Sequence, residues 1–404
     1  MKASNFEKIT KVMARAYQTT PEDLLNAFRP AKVSELKELV PLRKAVFAED
    51  ISWHDLDYLK WRYCRKVDGS NPDAETDFWI LRLKNKIVGG IGLEDIQLTI
   101  DGATWNAVKA MDAIVTPEED GKGIGAWINL AIQEKNPLVI ALGGNESSRT
   151  MLKKIFQPMR NRTNFKALIN SQIVISYKLT QSKLSPPLAN LIGHLIGPMV
   201  DLILQIKNAK HKPKLSDEFS IQHYDSFQQV FTPNNKTAPQ SVALAPPIQL
   251  ARSESYLAWR FDENPRSQFK ITALYKNNQL AGYMVYIMEI EQSLDRLEGV
   301  IIDWQLYTPP LPSTEPHTTE IEQTKEMFKA LLFATLGEIR KFKPAVALTN
   351  CYDAQFQEIF KACGFKPSDD EINPFFTFTQ DENLQEQLYN SDNWFLTLAD
   401  IDSF

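Results

Sequence analysis

The chain has 404 residues, enough for two or three domains, and its 43% hydrophobic and 24% charged residues are typical of a folded, water-soluble protein. The net charge of -5 argues against a general nucleic-acid-binding protein, which needs a basic surface. Three cysteines without CxxC spacing and five histidines without metal-ligand spacing indicate neither a disulfide framework nor a metal site, and a cytoplasmic location is expected.

The first predicted elements form a helical extension, residues 1–27, followed by an α+β unit, residues 28–180. The extension is polar and lacks the apolar core of a signal peptide. In the unit, the hydrophobic pattern predicts a strand, a helix, a strand hairpin with a Lys-Asn turn, a long central strand, a helix, a strand, a helix and a last strand. This order predicts a twisted mixed sheet flanked by helices.

A linker, residues 181–216, follows and contains the most hydrophobic stretch, Leu188 to Ile206. Four polar residues and a proline interrupt this stretch: Asn190, His194, Asp201, Gln205 and Pro198. We therefore expect a helix buried between two domains, and no transmembrane segment. The alternative is a helix that lies on a membrane surface, a peripheral contact through residues 188–206.

An internal repeat links the first unit to a second one, residues 217–404. YLKWRY at Tyr58–Tyr63 recurs as YLAWRF at Tyr256–Phe261, and Asn-Pro follows both segments. A hairpin and a central strand with one aspartate, Asp112 or Asp303, come next in each unit. The chain is therefore predicted to contain two copies of one α+β fold. Two such units can bury a large core alone, so a monomer or a dimer is expected.

The stretch VTPEEDGKGIGAWINLAI, Val115 to Ile132, places three alternate glycines before an apolar helical run. Glycine lets the backbone approach a ligand, and a helix start offers unpaired N–H groups, so this loop can bind a pyrophosphate with help from Lys122. Asp120 and its acidic neighbours would repel such a group by about 1 to 4 kcal/mol at close range. The competing interpretation is a glycine-rich turn in which Asp120 caps the helix.

These residues together resemble the GCN5-related N-acetyltransferase (GNAT) superfamily of acyl-CoA-dependent N-acyltransferases. The superfamily signature, Arg/Gln-x-x-Gly-x-Gly/Ala, aligns with Asp120, Gly123 and Gly125. The doubled layout is similar to a bacterial subgroup of tandem GNAT proteins associated with polysaccharide and cell-envelope synthesis. The resemblance implies two tandem GNAT-like domains in which the first binds acetyl-CoA or another acyl-CoA. The implied cofactor contacts are Ile114, Val115, Gly121, Lys122, Gly123, Ile124, Gly125, Ala126 and Asn145.

The resemblance also implies catalytic roles, and the sequence meets them incompletely. Asp112 on the central strand is the candidate base, because a carboxylate on an apolar strand is expected to have a raised pKa. The alternative is a buried structural aspartate. Superfamily members often protonate the leaving thiolate with a tyrosine, but the matching positions here are Leu152 or Phe156.

The second unit is predicted to be degenerate, since residues 308–316 are proline-rich and contain no glycine loop. It would shape the acceptor site or act as a structural partner. Side chains that could hold a sugar or an anion are Trp61, Arg62, Trp259, Arg260 and Asp303. The competing interpretation places the Trp-Arg pairs in the core. Asp400 and Asp402 are expected to be solvated acids near the end of the chain.

The expected activity is transfer of an acyl group from acyl-CoA to a small amine, such as an amino sugar or an envelope precursor. Two alternatives remain open. Asp120 and the missing tyrosine fit an inactive ligand-binding or scaffold protein. A tRNA-dependent aminoacyl transferase of the peptidoglycan-bridge type shares the tandem fold, but the acidic charge counts against it.

Overall fold

The fold was analysed in a computed structural model, which describes residues 3–47, 55–142, 144, 146–160, 162–231, 246–291, 294–307, 317–368 and 375–400. The first half of the chain contains six helices and seven strands in that part. The helices are α1 (Ala3–Ala16), α2 (Pro21–Asn26), α3 (Leu36–Val46), α4 (Leu56–Tyr63), α5 (Ile124–Lys135) and α6 (Glu146–Ile155). The strands are β1 (Phe28–Lys32), β2 (Glu75–Leu83), β3 (Lys86–Ile100), β4 (Ala103–Val115), β5 (Leu138–Leu142), β6 (Gln157–Pro158) and β7 (Thr163–Leu168).

The remaining described segments begin with a helical pair and continue into the second sheet. The helices are α7 (Ser171–Gln181), α8 (Pro186–Ala209), α9 (Phe227–Val230), α10 (Glu254–Leu257), α11 (His317–Lys341), α12 (Ala354–Ala362) and α13 (Glu382–Leu388). The strands are β8 (Phe219–Tyr224), β9 (Ile248–Leu250), β10 (Lys270–Lys276), β11 (Gln279–Glu291), β12 (Arg296–Leu306), β13 (Val346–Cys351), β14 (Lys366–Ser368), β15 (Phe375–Thr379) and β16 (Trp394–Phe395).

The two hairpins that the repeat predicts are present at equivalent places. Lys84 and Asn85 between β2 and β3 have φ of 47° and 63°, and Asn277 and Asn278 between β10 and β11 have φ of 51° and 64°. Two consecutive positive φ angles make the tight turn whose twist matches that of the strands, and asparagine tolerates this conformation. These short-range signals were therefore sufficient to locate both hairpins.

The strands form two mixed sheets, and each sheet contains a strand from the other half of the chain. The first sheet has the order β1-β2-β3-β4-β5-β15-β6, with β9 beside β3 and β16 beside β9. The second has the order β14-β7-β13-β12-β11-β10-β8. Strand β15 pairs along all of β5, and β7 pairs along all of β13. The sequence boundaries 28–180 and 217–404 consequently separate strands that lie in one sheet.

The two YLxWR segments meet at the junction between the halves. The indole rings of Trp61 and Trp259 stack with centroids 5.3 Å apart. Each Nε1 donates to the backbone carbonyl of the other tryptophan, at 3.0 and 3.1 Å. Arg65 lies over the Trp259 ring, 4.9 Å from its centroid. The repeat therefore builds a reciprocal contact, and both polar indole groups are satisfied within it.

Helix α8 of the hydrophobic linker packs antiparallel against α7, and the interpretation of a buried interdomain helix is wrong. The prediction that Ser171–Leu179 is the last strand of the first unit is also wrong, because this segment forms α7 and packs against α8. Gly193 and Gly197 of α8 face α7 so closely that a Cβ at Gly197 would lie 2.6 Å from the backbone of Gln172. The opposite face is open. Eight large apolar side chains are exposed there: Leu188, Leu191, Leu195, Ile196, Met199, Leu202, Ile203 and Ile206. Among the described residues, α8 is the one helix long and apolar enough to cross a bilayer, judged by length and composition alone.

We predict that removal of one junction indole destabilises the whole protein. Trp259 is 5% exposed, and replacing a buried tryptophan by alanine typically costs about 3 to 5 kcal/mol. Trp259→Ala should lower the urea midpoint accordingly, whereas Trp105→Ala, at a side chain 37% exposed, should change it little. In the Trp61→Ala/Trp259→Ala double variant, the two losses should not add, because both substitutions remove the same contact. Losses of stability that add in the double variant would contradict a contact shared by the two indoles.

Candidate functional site

The central strand of the first sheet carries a bulge at Asp112. Gly90 pairs with Ile114 and Gly92 pairs with Met111, so Asp112 and Ala113 together lie opposite one residue of β3. Asp112 has a φ of 50°, which is the left-handed region. A bulge leaves an extra residue outside the ladder and bends the strand. The backbone of β4 is therefore redirected at this point.

Strands β4 and β5 separate just before the bulge. Their parallel pairing runs from Val108–Val139 to Ala110–Ala141, and β4 then continues to Val115 without β5. In the described residues, the edge of β4 from Met111 to Val115 that faces β5 has no strand partner. The result is a V-shaped gap bordered by backbone groups that can bind a ligand.

The glycine loop closes the bottom of this gap. Gly121 and Gly123 have φ of 73° and 86°, and Gly123 is the N-cap of α5. Only glycine adopts these angles without strain, so the glycines define the start of the helix. A Cβ on Gly125 would lie 3.7 Å from Val115 and 3.6 Å from the Met151 sulfur of α6. A side chain at position 125 would therefore contact both the end of β4 and helix α6, beside the gap.

The first turn of α5 fits an anionic group. The amides of Ile124, Gly125 and Ala126 are the helix-start donors that lack an intrahelical acceptor, and they carry the positive end of the helix dipole. Ile114 and Val115 end β4 directly above them. Helix α1 holds α5 in place, since Trp127 Nε1 donates to Thr10 Oγ1 at 3.1 Å. Asn145, the last predicted cofactor contact, lies outside the described residues.

The acids at the loop mouth have identifiable partners. Glu119 accepts a hydrogen bond from the Tyr17 hydroxyl at 2.6 Å and pairs with Lys122 at 3.1 Å. Lys122 is therefore partly neutralised within the loop. Asp120 accepts from the Gly121 amide at 2.9 Å and is exposed. Asp120 thus supports the turn but leaves one carboxylate next to the helix start.

Asp112 is held by two partners, and the expected raised pKa is wrong. Its side chain is 7% exposed; Arg43 lies 3.4 Å away, and the Tyr63 hydroxyl donates to the carboxylate. Burial raises the pKa of Asp112, but the guanidiniums of Arg43 and Arg62 and the Tyr63 hydroxyl outweigh it and hold the pKa below that of an ordinary carboxyl. Asp112 is therefore ionised at neutral pH and is a weak proton acceptor.

The position of the missing tyrosine is apolar in the structure as well. Leu152 and Phe156 are buried on α6 and at its end, in the hydrophobic cluster that also contains Trp127 and Ile128. Neither side chain can donate a proton. Protonation of a leaving thiolate would have to come from water or from the acceptor.

The equivalent gap in the second sheet is filled by the chain itself. Strand β12 pairs with β13 only up to Val300, and it has its own irregularity between Ile301 and Asp303. Phe395 packs against Trp304 of β12 and Phe356 of α12, with ring centroids 6.0 and 5.9 Å apart. Residues 394–400 thus occupy the space that is open beside β4.

A buried charge cluster anchors this segment. Arg252 donates through Nε to Asp303 at 3.0 Å and through Nη2 to Asp400 at 2.9 Å. The Thr397 and Tyr283 hydroxyls donate to Asp303 at 2.7 and 2.9 Å. Burial raises the pKa of Asp303, and Arg252 opposes this shift. Asp303 therefore holds the C-terminal segment, and Asp400 is buried, contrary to the expectation of a solvated acid; Asp402 lies outside the described residues.

The remaining substrate-binding candidates are occupied at the junction. Trp61 and Trp259 stack on each other, so those ring faces cannot receive a sugar. Arg62 and Arg260 are buried, and Arg62 lies 3.4 Å from Glu94. Lys109 reaches the same carboxylate at 2.8 Å from the paired position on β4. These residues form a buried charge network, which supports the alternative of a core role for the Trp-Arg pairs.

A cavity of 500 Å³ lies between the halves at the opposite end of β4 from Asp112. Its polar lining residues are Arg65, Asp95, Gln97, Asn106, Ser253 and Tyr256. Asn106 precedes Asp112 by six residues, which is roughly 20 Å along an extended strand. A small amine bound in this cavity would therefore not reach the gap.

Several important side chains were missed by sequence reasoning: Arg43, Tyr63, Glu94, Lys109 and Arg252. Glu94 and Lys109 lie at hydrophobic positions of strands β3 and β4, and a charge at a buried position of a strand is the available signal. Their pairing depends on the register of the sheet. Arg252 carries no such signal, because its partners are 51 and 148 residues away.

No protein-family model matches the chain. No curated protein matches it in sequence. Solved structures do match in fold. A GCN5-related N-acetyltransferase from Anabaena variabilis has a TM-score of 0.53 at 10% identity, covering 88% of this chain and 72% of that one.

Two further solved structures show the same architecture. An Enterococcus faecalis protein of unknown function, a probable N-acyltransferase, has a TM-score of 0.52 at 8% identity, covering 89% of this chain and 74% of that one. Saccharomyces cerevisiae N-myristoyltransferase with bound myristoyl-CoA has a TM-score of 0.50 at 10% identity, covering 87% and 83%. At sequence identities of 8 to 10%, the similarity shows a shared fold only. The chain has the GNAT fold, as the sequence predicts.

We predict that the Glu94 network makes the protein sensitive to acid. Burial raises the pKa of Glu94, but Lys109 and Arg62 lower it to about 2. The pKa of Glu94 is lower in the folded protein than in the unfolded chain, so ionised Glu94 contributes to the free energy of unfolding, on the order of 3 kcal/mol. This contribution is complete above about pH 4.5 and is lost as the pH falls towards 2. Urea unfolding at several pH values should show a flatter decline below pH 4.5 for Glu94→Gln than for wild type.

The same substitution should also destabilise the protein at neutral pH, because Lys109 would be left without its carboxylate, at a cost of about 3 to 5 kcal/mol. The matched control is Asp95→Asn, at the exposed neighbouring residue of β3. Equal effects of the two substitutions would contradict the role assigned to Glu94.

Proposed function

We propose that the protein is an acyl-CoA-dependent N-acyltransferase whose cofactor site is the gap in the first sheet. The observation that carries this proposal is the combination of the β4 bulge, the separation of β4 from β5 and the glycine loop beneath them. Gly125 links these features, since a Cβ at this position would contact both Val115 of β4 and Met151 of α6. The activity class is that of superfamily members with this fold, and the gap supports the proposal because a cofactor could bind there.

Different residues of the gap would bind different parts of acyl-CoA. The helix-start amides of Ile124, Gly125 and Ala126, with Gly121, Lys122 and Gly123 before them, would hold the pyrophosphate. Ile114 and Val115 would contact the pantetheine arm along the free edge of β4. When bound, acyl-CoA supplies an activated thioester. The backbone N–H groups of the bulge, on the part of β4 that lies beyond its pairing with β5, would donate to an oxyanion near Ala113.

Asp112 would position this backbone. A low pKa makes it a weak base, but its bonds to Arg43 and Tyr63 fix the one residue of the bulge that has a positive φ. The amine proton would then pass to water. The acceptor would bind beside Asp112, because the 500 Å³ cavity lies too far away. A small amine, such as an amino sugar or an envelope precursor, is the acceptor class proposed.

An inactive ligand-binding protein is the second candidate function, and one observation favours it. Asp120 is exposed beside the helix start, where superfamily members carry Arg or Gln. A negative charge there weakens binding of any diphosphate. This candidate predicts binding that is weak or absent, together with the same fold. No feature of the described residues favours the tRNA-dependent aminoacyl transferase.

The first test is acyl-CoA binding by calorimetry, with acetyl-CoA and myristoyl-CoA titrated separately. Wild type should bind at least one of them with a micromolar Kd. Gly125→Trp should weaken binding at least tenfold, because the indole would extend into the gap. Gly337→Trp is the matched control: Gly337 is an exposed helical glycine with open space around its Cβ. No binding by wild type would support the inactive protein, and unchanged binding by Gly125→Trp would remove the gap as the site.

A further prediction concerns Asp120, the loop acid at the position where superfamily members carry Arg or Gln. Asp120→Arg should tighten binding of coenzyme A several-fold, since it replaces a repulsive charge by an attractive one at the helix start. The gain should shrink with added salt, because the site is exposed. Asp101→Arg, in the exposed turn between β3 and β4, is the control and should leave the Kd unchanged. A loss of affinity in Asp120→Arg would show that Asp120 is needed for the loop conformation.

A further inference from the structure

Helix α8 carries an apolar stripe that no described part of the chain covers. The stripe consists of Leu188, Leu191, Ile192, Leu195, Ile196, Met199, Leu202, Ile203 and Ile206. Projected at 3.6 residues per turn, these side chains span roughly 140° of the helix and include no polar residue. Leu195 is 68% exposed and Met199 is 64% exposed. A continuous apolar surface of this kind marks an interaction site.

The polar residues of α8 are segregated from the stripe. Asp201 accepts a hydrogen bond from the Ser171 amide at 2.9 Å, so the acid caps α7 on the other side of the helix. Gly193 and Gly197 fill the face that contacts α7. The helix therefore has three separate faces: one for α7, one polar and one apolar.

The charged residues of the α7–α8 segment itself are almost all positive. Between Ser171 and Lys214 the only acid is Asp201, whereas six lysines are present: Lys178, Lys183, Lys207, Lys210, Lys212 and Lys214. Lys178 and Lys183 lie at the end where α7 joins α8, and Lys207, Lys210 and Lys212 are exposed at the opposite end. This distribution contrasts with the net charge of -5 for the whole chain. The helical pair thus presents an apolar strip with cations at both ends.

We propose that the α7–α8 pair docks the protein onto the surface of a membrane with anionic headgroups. The apolar stripe would enter the boundary between headgroups and acyl chains, and the lysines would bind the headgroups. A second copy of the chain fits less well. The spacing of Leu188, Leu195 and Leu202 allows a helix pair, but the positions flanking such a seam carry Leu191, Ile196 and Ile203 in place of the charges that orient coiled coils. The inference is independent of the acyl-CoA site.

The test is co-sedimentation of the full-length protein with vesicles of phosphatidylcholine alone or mixed with phosphatidylglycerol. Wild type should sediment with the mixed vesicles and be released by high salt. Leu195→Glu/Met199→Glu should reduce the partition coefficient at least tenfold. Val12→Glu is the matched control, since Val12 is 65% exposed on α1, outside the α7–α8 pair. Lys210→Gln should weaken binding to the anionic vesicles roughly fivefold, and Lys84→Gln in the β2–β3 turn should not.

Four results would overturn the proposal, the last of them insertion across the bilayer. The first is no sedimentation of wild type with either kind of vesicle. The second is equal binding by Leu195→Glu/Met199→Glu and wild type. The third is a wild-type dimer, seen by sedimentation velocity, that the same double variant converts to a monomer while vesicles bind neither protein. Protein that resists extraction by alkaline carbonate would indicate insertion across the bilayer and would also contradict surface docking.

Discussion

The exchange of strands between the two sheets is the constraint on which the rest of the structure depends. Strand β15 supplies the second edge of β5, and β7 does the same for β13. Without β15, the five buried residues of β5, the strand that borders the gap beside β4, would have a single strand neighbour. The stacked pair Trp61 and Trp259 then joins the halves at a second place. The gap beside β4 is therefore a property of the whole chain.

The two halves share one fold but differ in the separation beside the central strand, which is open in the first half and filled in the second. In both, the central strand separates from its parallel neighbour after a few residues of pairing. In the first half the separation leaves a free strand edge above the glycine loop. In the second half Phe395, Thr397 and Asp400 enter the separation, and Arg252 binds the carboxylates on both sides. Burying one cation between two acids is expensive unless every group is hydrogen-bonded, and the hydroxyls of Thr397 and Tyr283 provide the additional bonds.

Local signals in the sequence were sufficient for the turns and the helix start, but not for every element, since Ser171–Leu179 forms α7 and not the predicted last strand of the first unit. The long-range pairing of strands was not available from local signals. The Lys84-Asn85 and Asn277-Asn278 turns and the Gly123 helix start follow from backbone preferences of single residues. The doubled GNAT fold followed from the order of such segments. The position of β7 in the second sheet could not be predicted, because a strand with this alternating burial pattern fits either sheet equally well by composition.

The chemistry of Asp112 shows the same limit at the level of one side chain. The sequence showed that Asp112 lies on the central strand, but the direction of its pKa shift depends on Arg43, which lies on helix α3. The exposure of the apolar face of α8 could also not be predicted from the sequence. A hydrophobic helix with small residues looks the same in sequence whether its apolar face is buried or open, and only the contact of Gly193 and Gly197 with α7 distinguishes the faces.

The strand exchange has a consequence for synthesis of the protein on the ribosome. Strand β5 is complete after residue 142, but its partner β15 begins at Phe375, more than two hundred residues later. During that interval a fully apolar strand, Leu138–Leu142, has an unpaired edge. Such an edge is a template for pairing with other chains. The nascent protein therefore depends on protection of β5 until the last part of the chain emerges, and truncated chains are a hazard for aggregation.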